Sequence, residues 1–212
     1  MKALALLWLS FLFPAIMAQI PAEYELAYRR LCVHVERPAA GGREVGSGMV
    51  MKRLGDSLLI ATARHVVQDL AVSDPPPRGH VSLYGSQVLL PYRVVYLDDL
   101  DLAFLKVRMP TMLVAPPPAA RDADLDAPLW LMAARTGYEP MPRGFDGRIL
   151  YRSSKDPFFW SAIAGASQGD SGSLIISRKG LVGMLLGGGD ELKCLSIGYI
   201  MDRMDQLTTT NR

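Results

Sequence analysis

Three side chains that could cooperate in nucleophilic catalysis occur here in the order His65, Asp101, Ser171, each at the edge of an apolar run. Ser171 stands in Gln168-Gly169-Asp170-Ser171-Gly172-Ser173, just before Leu174-Ile175-Ile176. A serine between glycines in a tight turn can project its hydroxyl toward a substrate, because glycine adopts backbone angles that a side chain forbids. The amides of Gly169 and Ser171 can then converge on a developing oxyanion. A serine hydroxyl is a weak nucleophile until a base takes its proton, and histidine is the usual base near neutral pH. His65 follows the apolar run Leu58-Leu59-Ile60-Ala61-Thr62-Ala63 after one arginine, Arg64. Asp101 enters Leu102-Ala103-Phe104-Leu105-Lys106-Val107, where its carboxylate could accept the other ring N–H of the histidine and fix its tautomer. Taken singly, the three have plain readings: a hairpin loop, a capping or core histidine, a turn aspartate. Their joint order and strand-edge placement point to a triad.

The elements that must position them are short and apolar, with turn signals between. One series is 31–35, 48–52, 58–61, 81–84, 88–95 and 102–107; a second is 129–133, 148–151, 158–163, 173–177, 181–186 and 195–200. Such spacing predicts an all-β protein of sandwiches or barrels rather than βαβ units. The series are separated by the proline-rich stretch Pro116-Pro117-Pro118-Ala119-Ala120-Arg121-Asp122-Ala123-Asp124, which reads as a connection between two units. His65 and Asp101 precede it and Ser171 follows it. Pro75-Pro76-Pro77-Arg78-Gly79 reads as a rigid exposed loop, and residues 201–207 as a short closing helix with one apolar edge.

Thr62-Ala63-Arg64-His65-Val66-Val67, Asp101-Leu102-Ala103-Phe104-Leu105-Lys106-Val107 and Gly169-Asp170-Ser171-Gly172 resemble the three catalytic motifs of trypsin-like (chymotrypsin-fold) serine peptidases. The likeness is nearer to the HtrA/Deg protease-domain branch, through Gly46-Ser47-Gly48-Met49-Val50 and Val94-Val95-Tyr96-Leu97-Asp98, and it covers roughly residues 28–205. Ile197-Gly198-Tyr199-Ile200 fits a strand of that family's second barrel. The resemblance implies two six-stranded antiparallel β-barrels with a short C-terminal helix: an N-terminal barrel over 19–115 carrying His65 and Asp101, and a C-terminal barrel over 116–212 carrying Ser171. It implies His65 as base, Asp101 as its orienter and Ser171 as nucleophile, with the oxyanion held by the amides of Gly169 and Ser171. It places the substrate pocket at Gly165, Leu186, Gly188 and Gly198, with no carboxylate at its base and hence a preference for an uncharged side chain. Asp190 and Glu191 lie close enough in sequence to restore a basic preference. Nothing in the chain remains for the PDZ domain that many HtrA relatives carry.

Two departures matter. Asparagine is usual in the HtrA branch where Asp170 stands; trypsin has aspartate there and pairs it with a new N-terminus. Here Ile-Val-Gly-Gly is missing and a cut after Arg29-Arg30 would fall too late, so no trypsin-style activation is expected and the partner of Asp170 is open. Arg64 replaces the usual alanine and is expected to face solvent, slightly lowering the affinity of His65 for protons.

The chain has 212 residues and a formal charge of +2, enough for one sizeable core or two small ones. No basic patch interleaved with aromatics stands out, which disfavours nucleic acid. Residues 1–18 read as a secretory signal peptide, with a charged start, an apolar core and cleavage after Ala18 or Ala22; an uncleaved anchor is the alternative, against which stand its short apolar stretch and Pro14. The expected location is therefore secreted or periplasmic, with no stable membrane insertion after cleavage. Cys32 and Cys194 could pair in an exported protein if both lie on outer strand faces, as the alternation around them suggests; two free thiols are the alternative. His34 and His80 are expected at the surface. Three histidines and two cysteines show no ligand spacing, so no metal and no cofactor are expected. Together these readings give an exported serine endopeptidase acting on protein or peptide substrates through an acyl-enzyme. The alternative is a catalytically silent peptide-binding module on the same fold. An esterase of the strand–turn–helix type is disfavoured by the order of the three residues.

Overall fold

The computed structural model describes residues 20, 22–39, 41–68, 79–109, 125, 127–135 and 141–210. Helix α1 (Ala22–Leu31) leads into the first barrel, made of β1 (Cys32–Ala39), β2 (Gly42–Leu54), β3 (Ser57–Ala63), β4 (His80–Leu83), β5 (Leu90–Asp98) and β6 (Leu102–Arg108). The single turn α2 (Arg64–Val67) follows β3. The second barrel holds β7 (Leu129–Ala133), β8 (Met141–Arg152), β9 (Phe158–Ala162), β10 (Leu174–Ser177), β11 (Gly180–Gly188) and β12 (Leu192–Ser196), and α3 (Ile197–Thr210) closes the chain. Both barrels are closed and antiparallel, in the orders β1-β2-β3-β6-β5-β4 and β10-β11-β12-β9-β8-β7. The expected all-β architecture of two six-stranded barrels with a C-terminal helix is what the chain forms. The signal-peptide segment, the 75–78 loop and the 116–124 connection lie outside the described residues. No helix among the described residues is long and apolar enough to cross a membrane.

Alternation along β1 explains how the barrels join. Val33 and Val35 fill the first barrel, while Cys32 and His34 point out of it. That outer face is not solvent but the second barrel. The Cys32 thiol points at the Met132 carbonyl, 3.5 Å away, and His34 Nδ1 lies 2.8 Å from the Ala134 carbonyl. One apolar cluster therefore runs from Val33, Met49 and Phe104 of the first barrel to Trp130, Met132 and Leu174 of the second, and on to Ile197 and Ile200 of α3.

Three sequence expectations are corrected here, and one element was not foreseen. Cys32 and Cys194 are both free and fully buried, not bridged. Cys32 sits at the seam between the barrels, whereas Cys194 packs inside the second barrel beside Ser161. Burial raises both thiols, Cys194 to about 12, so both stay protonated and inert. His34 is buried rather than exposed, because the second barrel covers its face. Residues 197–200 belong to α3 and not to a strand: β12 stops at Ser196 and the apolar positions that follow pack at helical spacing. Finally, α1 was not expected; it buries Tyr28 and Leu31 and carries an Arg29–Glu25 pair one turn apart.

Candidate active site

β3 ends at Ala63 and α2 begins at once, so His65 is delivered at the barrel rim. The β5–β6 turn delivers Asp101 beside it. Asp101 has φ of 68°, a left-handed conformation that aspartate tolerates better than most residues. Its carboxylate grips His65 twice. Oδ1 accepts the His65 backbone N–H at 2.9 Å, and Oδ2 lies 2.8 Å from Nδ1. The Asp101 carbonyl also accepts the Arg64 amide at 3.0 Å. A carboxylate facing Nδ1 places the ring proton there and leaves Nε2 as the basic nitrogen. The hydrogen bond to Asp101 raises the pKa of His65 above its ordinary 6.5; partial burial opposes this, and the charges of Asp101 and Glu44 add to it. The charge that opposes the rise is that of Arg37, not of the neighbouring Arg64 as expected. Arg64 turns away, bonding the Asp98 carbonyl at 3.2 Å and the Asp99 carboxylate at 2.9 Å.

The turn that carries Asp101 is fastened from below. Asp98 Oδ1 accepts the Leu100 amide at 2.7 Å, while Oδ2 accepts the hydroxyls of Tyr96 at 2.7 Å and Tyr199 at 2.9 Å. Arg203 lies 3.4 Å from the same oxygen. Burial opposes ionisation of Asp98, but these donors together hold its carboxyl below the usual range. Tyr199 and Arg203 both belong to α3, so the last helix of the chain braces the turn of the first barrel.

Ser171 is set by the opposite edge. Its carbonyl accepts the Ser47 amide at 2.7 Å, and Gly172 N–H bonds the Leu185 carbonyl at 2.7 Å. Gly172 has φ of 88°, and a Cβ there would lie 1.8 Å from the Ser47 carbonyl oxygen. Only glycine fits a turn pressed so closely against β2. Gly46 is constrained more mildly: a Cβ there would meet the Val66 methyl groups at 2.7 Å and the Ser171 carbonyl at 3.1 Å. His65's neighbour and the serine loop therefore converge on the same strand. The Ser171 hydroxyl donates to the Leu186 carbonyl at 3.1 Å. Among the described residues no hydrogen bond joins it to His65, and no protein acceptor engages the amides of Gly169 or Ser171. Gly169 has φ of 89°, the left-handed region.

The partner of Asp170, open from sequence, is Arg135. Asp170 is fully buried, and Arg135 meets it through two parallel bonds, Nε to Oδ1 at 3.1 Å and an Nη to Oδ2 at 2.7 Å. Oδ2 also accepts the Ser167 amide at 2.8 Å. Arg135 follows β7, 35 residues before the carboxylate it serves, and the sequence signals it only as an arginine just past an apolar strand.

The four residues expected to form a substrate pocket take different places in the fold. Gly165 lines a depression of about 620 Å³ with Ala162–Ala166, Gly189, Asp190 and Arg148. Leu186 presents its carbonyl to Ser171, Gly188 is the last residue of β11, and Gly198 lies in α3. No group of histidines, cysteines or carboxylates among the described residues could hold a metal.

The trypsin-like peptidase domain family matches residues 46–184, and the chain belongs to it. Among solved structures, the serine endoprotease from Yersinia pestis superposes with a TM-score of 0.70 at 22% identity, over 92% of this chain and 70% of that one. At that identity the likeness is one of fold. No curated protein matches the sequence.

Proposed function

We propose that this chain is an exported serine endopeptidase that cleaves peptide bonds through an acyl-enzyme. The observation that carries the reading is the double grip of Asp101 on His65, 2.9 Å to the amide and 2.8 Å to Nδ1, at the rim where the Ser171 loop docks. Ser171 Oγ leaves Leu186 by a rotation about χ1 and gives its proton to His65 Nε2 as it attacks the peptide carbonyl. The amides of Gly169 and Ser171 receive the oxyanion; loss of one such donor costs about 3–4 kcal/mol of transition-state stabilisation. The imidazolium, stabilised by Asp101, protonates the leaving amine, and water then repeats the cycle on the acyl-enzyme. Arg135 does for Asp170 what a new N-terminus does in trypsin, so the serine loop is held without proteolytic activation. The alanines and Ile163 beside Gly165 favour an uncharged side chain before the scissile bond, and Asp190 with Arg148 sets its polar rim. Export rests on residues 1–18 and is checked by recovering the secreted or periplasmic protein with Gln19 or Glu23 at its N-terminus.

One observation favours the second reading, a silent peptide-binding module: the Ser171 hydroxyl is turned to Leu186 rather than to His65. Hydrogen bonds in unliganded active sites are commonly loose and tighten with substrate. Fluorophosphonate labelling of the protein from Gln19, read by intact mass beside Ser171→Ala, separates the two. One adduct on the wild type and none on Ser171→Ala supports the peptidase. An unlabelled, folded wild type supports the binding module.

A further inference from the structure

A second concavity, of about 820 Å³, lies on the first barrel and shares no residue with the candidate active site. Its chemistry comes from strand register. Arg93 on β5 stands directly opposite Lys106 on β6, Lys106 opposite Leu59 on β3, and Leu59 opposite Lys52 on β2. Directly opposed residues present their side chains on the same face of a sheet. Three cations therefore stand in one row, with buried Leu59 as the floor between them. Bulges at Val50/Lys52 and Val94/Tyr96 flank the row and re-aim the strands that carry it. Arg53 adds a fourth cation to the wall, and no carboxylate lines the cavity among the described residues.

Like charges placed directly opposite one another destabilise a sheet. Among the described residues, Lys52, Arg93 and Lys106 have no ion-pair partner, and Asp56, in the β2–β3 turn, is taken by Arg108. The end of α3, at Leu207 and Thr208, forms the far wall. A helix C-terminus brings roughly half a negative charge, far short of balancing the row. Neighbouring strands lie about 4.8 Å apart, so Arg93 and Lys106 can share one anionic group while Lys52 reaches a second across Leu59. The planar guanidinium fork and the two flexible ammonium groups suit phosphate oxygens.

We propose that this cavity binds a phosphate-bearing anion of two or more negative charges. Arg93 and Lys106 hold one phosphate and Lys52 the next. The source is a soluble polyphosphate or a lipid headgroup, and the same chemistry serves both.

The test uses the full chain with two probes: tripolyphosphate by calorimetry, and vesicles containing cardiolipin, whose headgroup carries two phosphates, against phosphatidylcholine vesicles by co-sedimentation. We expect saturable binding of tripolyphosphate or of the anionic vesicles. It should weaken at least tenfold in the Arg93→Gln/Lys106→Gln double variant and stay unchanged in Arg108→Gln, on the same strand but outside the row. Tripolyphosphate binding identifies a soluble ligand, and binding to anionic vesicles alone a headgroup. Relief of repulsion gives a reading without any ligand: Lys106→Gln should raise the melting temperature. If the double variant does not fold, Lys52→Gln alone should weaken binding. Neither probe binding to the wild type, or undiminished binding in the folded variants, overturns the proposal.

Discussion

Asp170 is fully buried, and Arg135 is its ion-pair partner. Removing the guanidinium leaves a buried carboxylate uncompensated, a change that typically costs about 3–5 kcal/mol; Arg135 is partly exposed, which places the expected loss at the lower end, about 3 kcal/mol. Arg135→Ala should therefore lower the denaturation midpoint and slow fluorophosphonate labelling, with Arg135→Lys restoring part of each. A variant that keeps wild-type stability would show that the pair is dispensable. His65 gives the pH prediction at this scale. Its folded pKa is raised, so its contribution to stability is present below the unfolded value and is lost as pH rises through the folded one. Catalysis needs the neutral base, so kcat/KM should climb with pH along a limb centred above 6.5. Asp101→Asn removes the largest cause of the shift and should move that limb to lower pH while cutting the rate steeply. His65, Asp101 and Ser171 could be singled out from sequence because each sits in a short local motif, and the structure sets Asp101 against His65. The orientation of the Ser171 hydroxyl was not legible, since a rotamer is decided by whichever acceptor lies nearest in space, here Leu186.

The turns and helix ends set the site at the next scale. Gly172 is pressed against β2 with φ of 88°, and Gly172→Ala would drive a methyl group into the Ser47 carbonyl. Such backbone strain costs about 1–3 kcal/mol, and the clash adds to it. The expected outcome is a lower melting temperature and loss of labelling together. On the other flank, Asp98 ties the Asp101 turn to α3 through Tyr199 and Arg203. Its folded pKa is depressed, so this stabilisation is present above the unfolded value and fades as pH falls through the folded one. Asp98→Ala should raise amide exchange both at Leu100–Leu102 and in α3; faster exchange in only one of them would mean that the two are not coupled. Strand existence was readable element by element. The end of β12 was not, because Leu195 and Ile197–Ile200 are apolar enough for either period, and packing of α3 across the seam decides for helix.

Across the whole molecule, one buried cluster spans both barrels and α3. The Ser47 side chain accepts the Ala134 amide at 3.0 Å, while its own amide donates to Ser171 at 2.7 Å, so one residue stitches the two barrels at the site. A shared core of this kind predicts a single cooperative transition. Far-UV circular dichroism, which reports both barrels, should coincide on heating with the fluorescence of Trp130 and Trp160, which lie in the second barrel. Separate midpoints would mean barrels that unfold independently. The order of motifs, the two series of strands and the division of His65 and Asp101 from Ser171 by the 116–124 stretch follow from the sequence by itself, since they depend on local periodicity and on residue types at short spacing. Tertiary structure alone decided that Arg135 neutralises Asp170, that Cys32 and Cys194 lie apart, that His34 is buried, and that Lys52, Lys106 and Arg93 share one face. Each of these depends on which strands become neighbours and which face the second barrel covers. Alternation along a strand states that two sides differ; only the docking of another element determines which of them meets water.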